Sequence, residues 1–515
     1  MRVLRLGTRG SLLALAQSRL VCRQLMQRHP GIEVELKIIE TPGDRDRRTP
    51  LTDVRSADFF SADLDRALLG DRVDFCVHSL KDLPATRPAG IRCAALPARE
   101  NPRDVILWRH DVPERLKSGA TLRLGSSSAR RQENVRDFLA IGLPATRHPA
   151  RLAFVPVRGP VDARLTRLSL RDDDPEALDG VILALAGLAR LWNDFAGHDA
   201  LAPLLAPPAG ALRWMVLPLA HCPAAPGQGV LAIECRADDV RTHALLRVLH
   251  DPLTAGLVAA EQAALSGVAA ADRPAFGATA VGHELLETVC HVRGRTRAGV
   301  VDRLYWQQPP APRDAVAFNG VAWQRECTRH ATGPLPALAG LRPGAAVFAA
   351  YWHALEHHAL PPGIRLWTSG IESWRQLAAR GHWVEGCGDH LGFEALRTTL
   401  QCPVLGLPPL KDWTTLTHGW AASGWHEAGI GRVISTYDIE MPRDPAAVER
   451  LRAAASRATH CYWSSARQYE ALSDVLHPGA HHACGAGKTW HALDAIGLKP
   501  TPFPDGRAWQ RWVDA

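Results

Sequence analysis

The 515-residue sequence has no apolar run near the ~20 residues that a bilayer-spanning helix requires, which excludes an ordinary helical membrane protein. Paired cysteines are missing too. Eleven cysteines are scattered singly with no C-x-x-C, a pattern that excludes a zinc knuckle or a disulfide framework and fits a reduced compartment. There is no low-complexity tract and no Lys/Arg-dense helix. The net charge of +7 therefore comes from dispersed bases, and it argues for a small anion held by arginines, not for nucleic acid. The opening MRVLRLGTRGSLLALAQ has a basic residue and an apolar patch, as a leader would. Arg5, Arg9 and Gln17 interrupt it and no small-residue cleavage site follows, so the expectation is a mature cytoplasmic protein.

What is present is a chain too long for one core, and typical domain sizes predict roughly three or four domains. A hydrophobic content of 46% and a charged content of 22% are ordinary for globular protein. Strand and helix patterns alternate in the first third: VLRLGTR, SLLALAQSRLVCRQLMQRH, EVELKIIET, ADLDRALL, DFCVH. That order predicts an α/β fold with a mostly parallel sheet. A second α/β unit spans about 101–215, with LRLGSSSARRQENVRDFL, LAFVPVRG and GVILALAGLARL. The Pro/Gly-rich HCPAAPGQG is a loop before the strand VLAIECR; helical patterns then cover 241–268, ahead of a strand-like ETVCHVRG. QQPPAPRD is a plausible linker. Beyond it, IRLWTSG, GRVISTYDIE and THCYWSSA are strand candidates in a further α/β region.

In open α/β sheets ligands bind beyond the carboxyl ends of strands, where loop amides and helix N-termini collect. Five such ends here are polar or basic: GTRGS, LKDLP, GSSSARRQ, VRGPVDAR and AGLAR. One strand-end arginine is ordinarily a solvated surface residue, and serines before a helix are ordinarily caps. Five together describe a cleft for a molecule with several carboxylates, because guanidinium forks match carboxylates in pairs. Asp82 is the anion among these cations. A fixed carboxylate there suits a positively charged transition state or a ring N–H; the bland alternative is a surface Lys81–Asp82 pair of little energetic weight.

Eight ordered motifs over roughly residues 1–300 resemble hydroxymethylbilane synthase, also called porphobilinogen deaminase: LGTRGSLLALAQ, GDRDRRTPL, VHSLKDLP, ARENPRDVIL, GSSSARRQ, VRGPVDARL, ILALAGLARL and PGQGVLAIECR. The resemblance implies two periplasmic-binding-protein-like α/β domains, 1–98 with 216–240 and 99–215, and a small α+β third domain, 241–305. It implies condensation of four porphobilinogens into hydroxymethylbilane with release of ammonia, in porphyrin and heme biosynthesis, by a monomer that engages neither membrane nor nucleic acid. Asp82 would be the catalytic carboxylate, stabilising the cationic pyrrole and azafulvene species. Arg9, Ser11, Gln17, Lys81, Ser127, Arg130, Arg131, Arg158, Arg164 and Arg190 would hold acetate and propionate groups. No metal is implied. The family cofactor is a dipyrromethane on a cysteine in a G-G-C-x-x-P-x-G turn; the matching stretch here is 275–282, with Gly277 at the cysteine position. Cys290, the nearest thiol downstream, lies in ETVCHVRG, which reads as a buried strand. RSADFF (55–60) replaces the family's G-G-K-G-L-F loop, with Ala57 for its lysine.

Residues 315–515 resemble uroporphyrinogen-III synthase, through THCYWSSARQYEAL, HHACGAGKTWHALDAIGLKPTPFPDG and WTSGIESWRQLAARG. The resemblance implies an α/β region that closes the linear tetrapyrrole, with Tyr437 and Ser464 as candidate residues, and a bifunctional transferase overall. The competing expectation, drawn from Gly277, is a non-catalytic pyrrole-binding scaffold fused to that region.

Overall fold

The computed structural model describes residues 2–41, 61–206, 210–332, 336–421 and 423–515. The motif GDRDRRTPL and the loop RSADFF lie outside the described residues. The chain divides into two compact units: 1–281 with 290–305 and 402–406, and 282–289 with 306–401 and 407–515.

The first unit holds two five-stranded sheets. Its strands are β1 Arg2–Thr8, β2 Ile32–Ile38, β3 Phe75–Ser79, β4 Ile91–Ala95, β5 Asp104–Trp108, β6 Thr121–Gly125, β7 Arg151–Val155, β8 Gly180–Ala184, β9 Arg213–Val216 and β10 Leu231–Arg236. The sheet orders are β2-β1-β3-β10-β4 and β7-β6-β8-β5-β9. The alternation of patterns predicts mostly parallel sheets; half of the pairings are antiparallel instead. In the first sheet β1 runs parallel to β2 and β3, while β10 runs antiparallel to β3 and β4. In the second, β6 is parallel to β7 and β8, and β5 is antiparallel to β8 and β9. The cause is topological: the chain crosses from β4 to β5, and returns from β9 to enter the first sheet as β10, opposed to its neighbours.

Interior strands covered on both faces read as unbroken apolar runs. Phe75, Cys76 and Val77 of β3 are all buried, and Leu4, Leu6, Val21, Leu25, Phe75, Val77 and Ile233 form one continuous core. Each such side chain contributes about 1.5–3 kcal/mol on burial. Helix Leu12–Arg28 is capped by Ser11, whose Oγ accepts from Ala14 N at 3.3 Å. Helix Ala129–Gly142 is capped by Ser128 in the same way, through Arg131 N.

A three-stranded sheet, β11 Gly277–His283, β12 Glu287–Thr296 and β13 Gly299–Tyr305, follows helix Pro252–Ala264. Leu257, Leu265, Phe276, Ala278, Ala280, Cys290 and Val292 make its core. Cys290 is thus in a buried strand, as ETVCHVRG predicts.

The second unit carries β14 Ala317–Asn319, β15 Thr328–Ala331, β16 Ala346–Ala349, β17 Arg365–Thr368, β18 Val384–Cys387, β19 Thr414–His418, β20 Arg432–Glu440, β21 His460–Trp463, β22 His481–Gly485 and β23 Thr501–Phe503. Sheet β15-β20-β19-β16-β17-β18 is parallel except for β15, which pairs antiparallel with β20. Sheet β14-β21-β22-β23 is wholly parallel. The middle of this unit's chain therefore forms one sheet, and its two ends combine in the other.

Candidate active site

Strand β3 ends abruptly. Its last residue, Ser79, leads into a single 3-10 turn, Leu80–Asp82, and Pro84 prevents the turn from continuing as helix. Asp82 is exposed there, in a pocket lined by Arg9, Ala14, Gln17, Ser61, Val77, His78, Ser79, Asp82 and Leu83. Gln17 is buried and donates through Nε2 to Ser79 Oγ at 3.0 Å, which fixes the helix start against the strand end.

Lys81 extends toward the second sheet, and its Nζ donates to Gln228 Oε1 at 3.1 Å. Burial pushes its ammonium down to about 8; Asp82 and Asp104 act to raise it, Arg131 and Arg130 to lower it. Arg164 is half-buried and donates through Nε to Gly159 O at 2.8 Å. Burial pushes its guanidinium down to about 10, with Arg131 and Arg158 adding to the fall and Asp82 opposing it. Asp82, Lys81, Arg131, Arg158 and Arg164 therefore share one electrostatic neighbourhood.

Several of the anticipated anion binders are engaged with the protein itself. Arg131 Nη2 donates to Asp104 Oδ1 at 2.7 Å and Nη1 to Ile182 O at 3.1 Å. Arg130 Nη1 lies 2.9 Å from Asp104 Oδ2 and donates to Pro223 O at 2.8 Å. Ser127 exchanges hydrogen bonds with Val157, receiving from its N at 2.9 Å and donating to its O at 2.8 Å, and so pins the loop that carries Arg158. Ser11 is a helix cap. Arg190 is buried and donates through Nη2 to Gly229 O at 2.6 Å; its charged neighbour is Glu100, not Asp82. It braces the P-G-Q-G loop. That loop needs glycine at 229, where φ is +86° and a Cβ would stand 2.2 Å from Glu100 O.

Sequence reasoning missed Asp104, Gln228 and a polar knot beneath the pocket. Gln228 donates through Nε2 to Asp104 Oδ1 at 2.9 Å, which completes the acidic residue's surroundings. The signal for Asp104 was present: a charged residue opening the apolar run VIL inside ARENPRDVIL. In the knot, Arg87 grips Glu234 with two bonds, of 2.8 and 2.7 Å, and reaches Asp65 at 2.6 Å. His78 joins them, with Nε2 3.4 Å from Glu234 Oε2. Burial and Arg87 push this imidazole down to about 4, so it is neutral at neutral pH. Asp65, His78 and Glu234 have metal-ligand spacing, but the Arg87 guanidinium already supplies the positive charge among them.

In the second unit Tyr437 is buried, with its ring 5.7 Å from that of His418 and 6.2 Å from that of His353. Burial pushes its phenol up to about 12, and Arg329 acts in the opposite sense. Ser464 is occupied elsewhere: its Oγ donates to Gln468 Oε1 at 2.7 Å.

Fold and pocket together define a class: an α/β protein whose first unit holds two five-stranded sheets and a pocket bearing a carboxylate, Asp82, beside Arg9. The comparisons make the class specific. Residues 4–244 match the family model described as porphobilinogen deaminase, dipyromethane cofactor binding domain. Porphobilinogen deaminase of Macrococcus caseolyticus is 36% identical over 256 residues, 49% of this chain and 73% of that protein. Porphobilinogen deaminase 1 of Streptomyces coelicolor is 36% identical over 309 residues, 58% of this chain and 85% of that protein. The Bacillus subtilis porphobilinogen deaminase is 34% identical over 270 residues, 52% of this chain and 76% of that protein. The chain belongs to the porphobilinogen deaminase family, transferases of tetrapyrrole biosynthesis. Among the described residues no helix is long and apolar enough to cross a membrane.

The family's dipyrromethane meets a mixed fit here. The bases around Asp82 suit its carboxylates, and the buried Nε of Arg131 has no hydrogen-bond partner among the described residues. Gly277, which the resemblance sets at the anchor position, offers no nucleophile.

Proposed function

We propose that this chain is a hydroxymethylbilane synthase, joining porphobilinogens head to tail and releasing ammonia. The observation that carries the reading is Asp82, exposed on a stiff turn in the same pocket as Arg9 and Gln17 and within the field of Lys81 and Arg164. Loss of ammonia from the aminomethyl group leaves a positively charged pyrrole. A carboxylate fixed beside it lowers the barrier without having to reorganise. The surrounding bases orient the ring by its acetate and propionate groups, which holds the reacting carbon within reach of its acceptor. The dipyrromethane, when bound, supplies the pyrrole end to which the first substrate is joined. Neutral His78 lines the same pocket and adds no positive charge to it.

A second reading, that the C-terminal region acts as a uroporphyrinogen-III synthase, has its own support. The region's two sheets are built from the middle and the ends of one segment, and the strands at which the chain enters and leaves the six-stranded sheet, β15 and β20, pair antiparallel at its edge. Tyr437 stands in that pair, opposite Ala331 and beside His418. Fusing the two activities has a physical logic: hydroxymethylbilane closes spontaneously to the wrong isomer, and a tethered second site raises its effective concentration. Incubating the full chain with porphobilinogen and resolving the products tests both readings. Type III uroporphyrinogen supports both, and type I alone supports the first while refuting the second. With no bilane product at all, the scaffold alternative stands.

A further inference from the structure

The surroundings of Gly277 decide what can stand at the family's anchor position. Gly277 is buried at the start of β11, and a Cβ there would lie 2.1 Å from Pro223 O, 2.7 Å from Pro223 C and 3.0 Å from Ala224 O. The obstacle is backbone, and it is pinned. Arg130 Nη1 donates to Pro223 O at 2.8 Å, Ala278 N donates to Ala224 O at 2.9 Å, and Ala224 N donates to Thr279 Oγ1 at 2.7 Å. A buried ion pair tightens the seam further. Glu261 accepts from Gly227 N at 2.7 Å, Ala280 N at 2.8 Å and Arg99 Nη1 at 2.6 Å.

The neighbouring position has closed as well. Phe276 stands where the family pattern has glycine, and its ring fills the space over Gly294, where a Cβ would come within 2.4 Å of it. No nearby thiol is available as a substitute. Cys222 is 1% exposed, with Sγ 3.7 Å from Asn134 O, and Cys290 is 3% exposed, its thiol pushed up to about 12 by burial. A thiol attacks as thiolate and must be reachable, and neither meets both conditions.

We propose that this chain holds its dipyrromethane by ion pairing and hydrogen bonding alone, as an exchangeable ligand of the bases around Asp82. The inference rests on the deaminase reading. Arg9 lines that pocket, Lys81 and Arg164 lie within the field of its Asp82, and Arg131 has a buried Nε with no hydrogen-bond partner among the described residues. A molecule held by its carboxylates is released when salt screens the contacts or when the fold is lost, whereas a thioether survives both.

The test uses the full chain, incubated with porphobilinogen, freed of excess at low ionic strength, and weighed intact under native and denaturing conditions. The expected native mass exceeds the denatured mass by one dipyrromethane, and the denatured mass equals that of the sequence. Molar salt strips the difference, and Arg9→Gln weakens retention about tenfold, the loss expected for one hydrogen bond to a charged group. A denatured chain that still carries the dipyrrole, on whichever peptide, overturns the inference. Porphobilinogen consumed with no dipyrrole retained also overturns it, while leaving the deaminase reading intact. A retained dipyrrole that is never extended upholds the inference and ends the deaminase reading.

Discussion

Replacing Asp104 by asparagine tests whether the paired arginines of GSSSARRQ are neutralised inside the protein. Asp104 is fully buried between Arg130 and Arg131, which are 5% and 9% exposed. Asparagine keeps the shape and some of the hydrogen bonding but leaves two guanidinium groups without their counter-charge. Breaking a buried pair by removing one partner costs about 3–5 kcal/mol. At about 2 °C per kcal/mol for a body of this size, the melting temperature of the first unit falls by about 6–10 °C. Burial alone would raise the Asp104 pKa, but Arg130, Arg131 and Gln228 together hold it well below the usual carboxylate range. A depressed folded-state pKa contributes stability above the unfolded value, near 3.9, which is lost as pH falls below it toward the folded value. The wild-type chain should therefore lose this contribution below about pH 4, and Asp104→Asn should show a shallower acid limb. Calorimetry and urea titration across pH 2–7 read both effects. A loss under about 1 kcal/mol, with an unchanged acid limb, would refute the internal pairing and return both arginines to the ligand.

Two further outcomes follow from the same geometry. Lys81 loses its charge as pH rises through about 8, so KM for porphobilinogen should climb above that pH, and Lys81→Arg should remove the climb; steady-state kinetics from pH 6.5 to 9.5 check it. Tyr437→Phe should leave porphobilinogen consumption unchanged and move the product from type III toward type I, as chromatography of the oxidised porphyrins would show.

The sequence revealed strand β3 and the turn bearing Asp82 because an apolar run stops at charged residues and a proline. Strand direction was not legible: periodicity marks a strand but not which way it runs, so the reversed β10 was unforeseen. The same limit applied to the arginines. Composition and position put Arg130, Arg131 and Arg190 at strand or helix ends, but whether a guanidinium faces a ligand or the protein depends on partners distant in sequence. For these three the partners are Asp104, Pro223 and Gly229. Gly277 is a similar case. A glycine at the position the resemblance gives to a cysteine is plain in the sequence, while the backbone of Pro223 that crowds any side chain there is visible only in the fold.

The central claim is that one carboxylate, Asp82, drives a deaminase held together by surrounding bases. Porphobilinogen consumption by the wild-type chain and by Asp82→Asn, at matched folded concentration, tests it most directly. Asparagine removes the charge at an exposed turn, so circular dichroism and melting should be unchanged while the rate falls by at least about 100-fold, on the scale of a lost electrostatic stabiliser. An Asp82→Asn chain that consumes porphobilinogen at the wild-type rate would contradict the account.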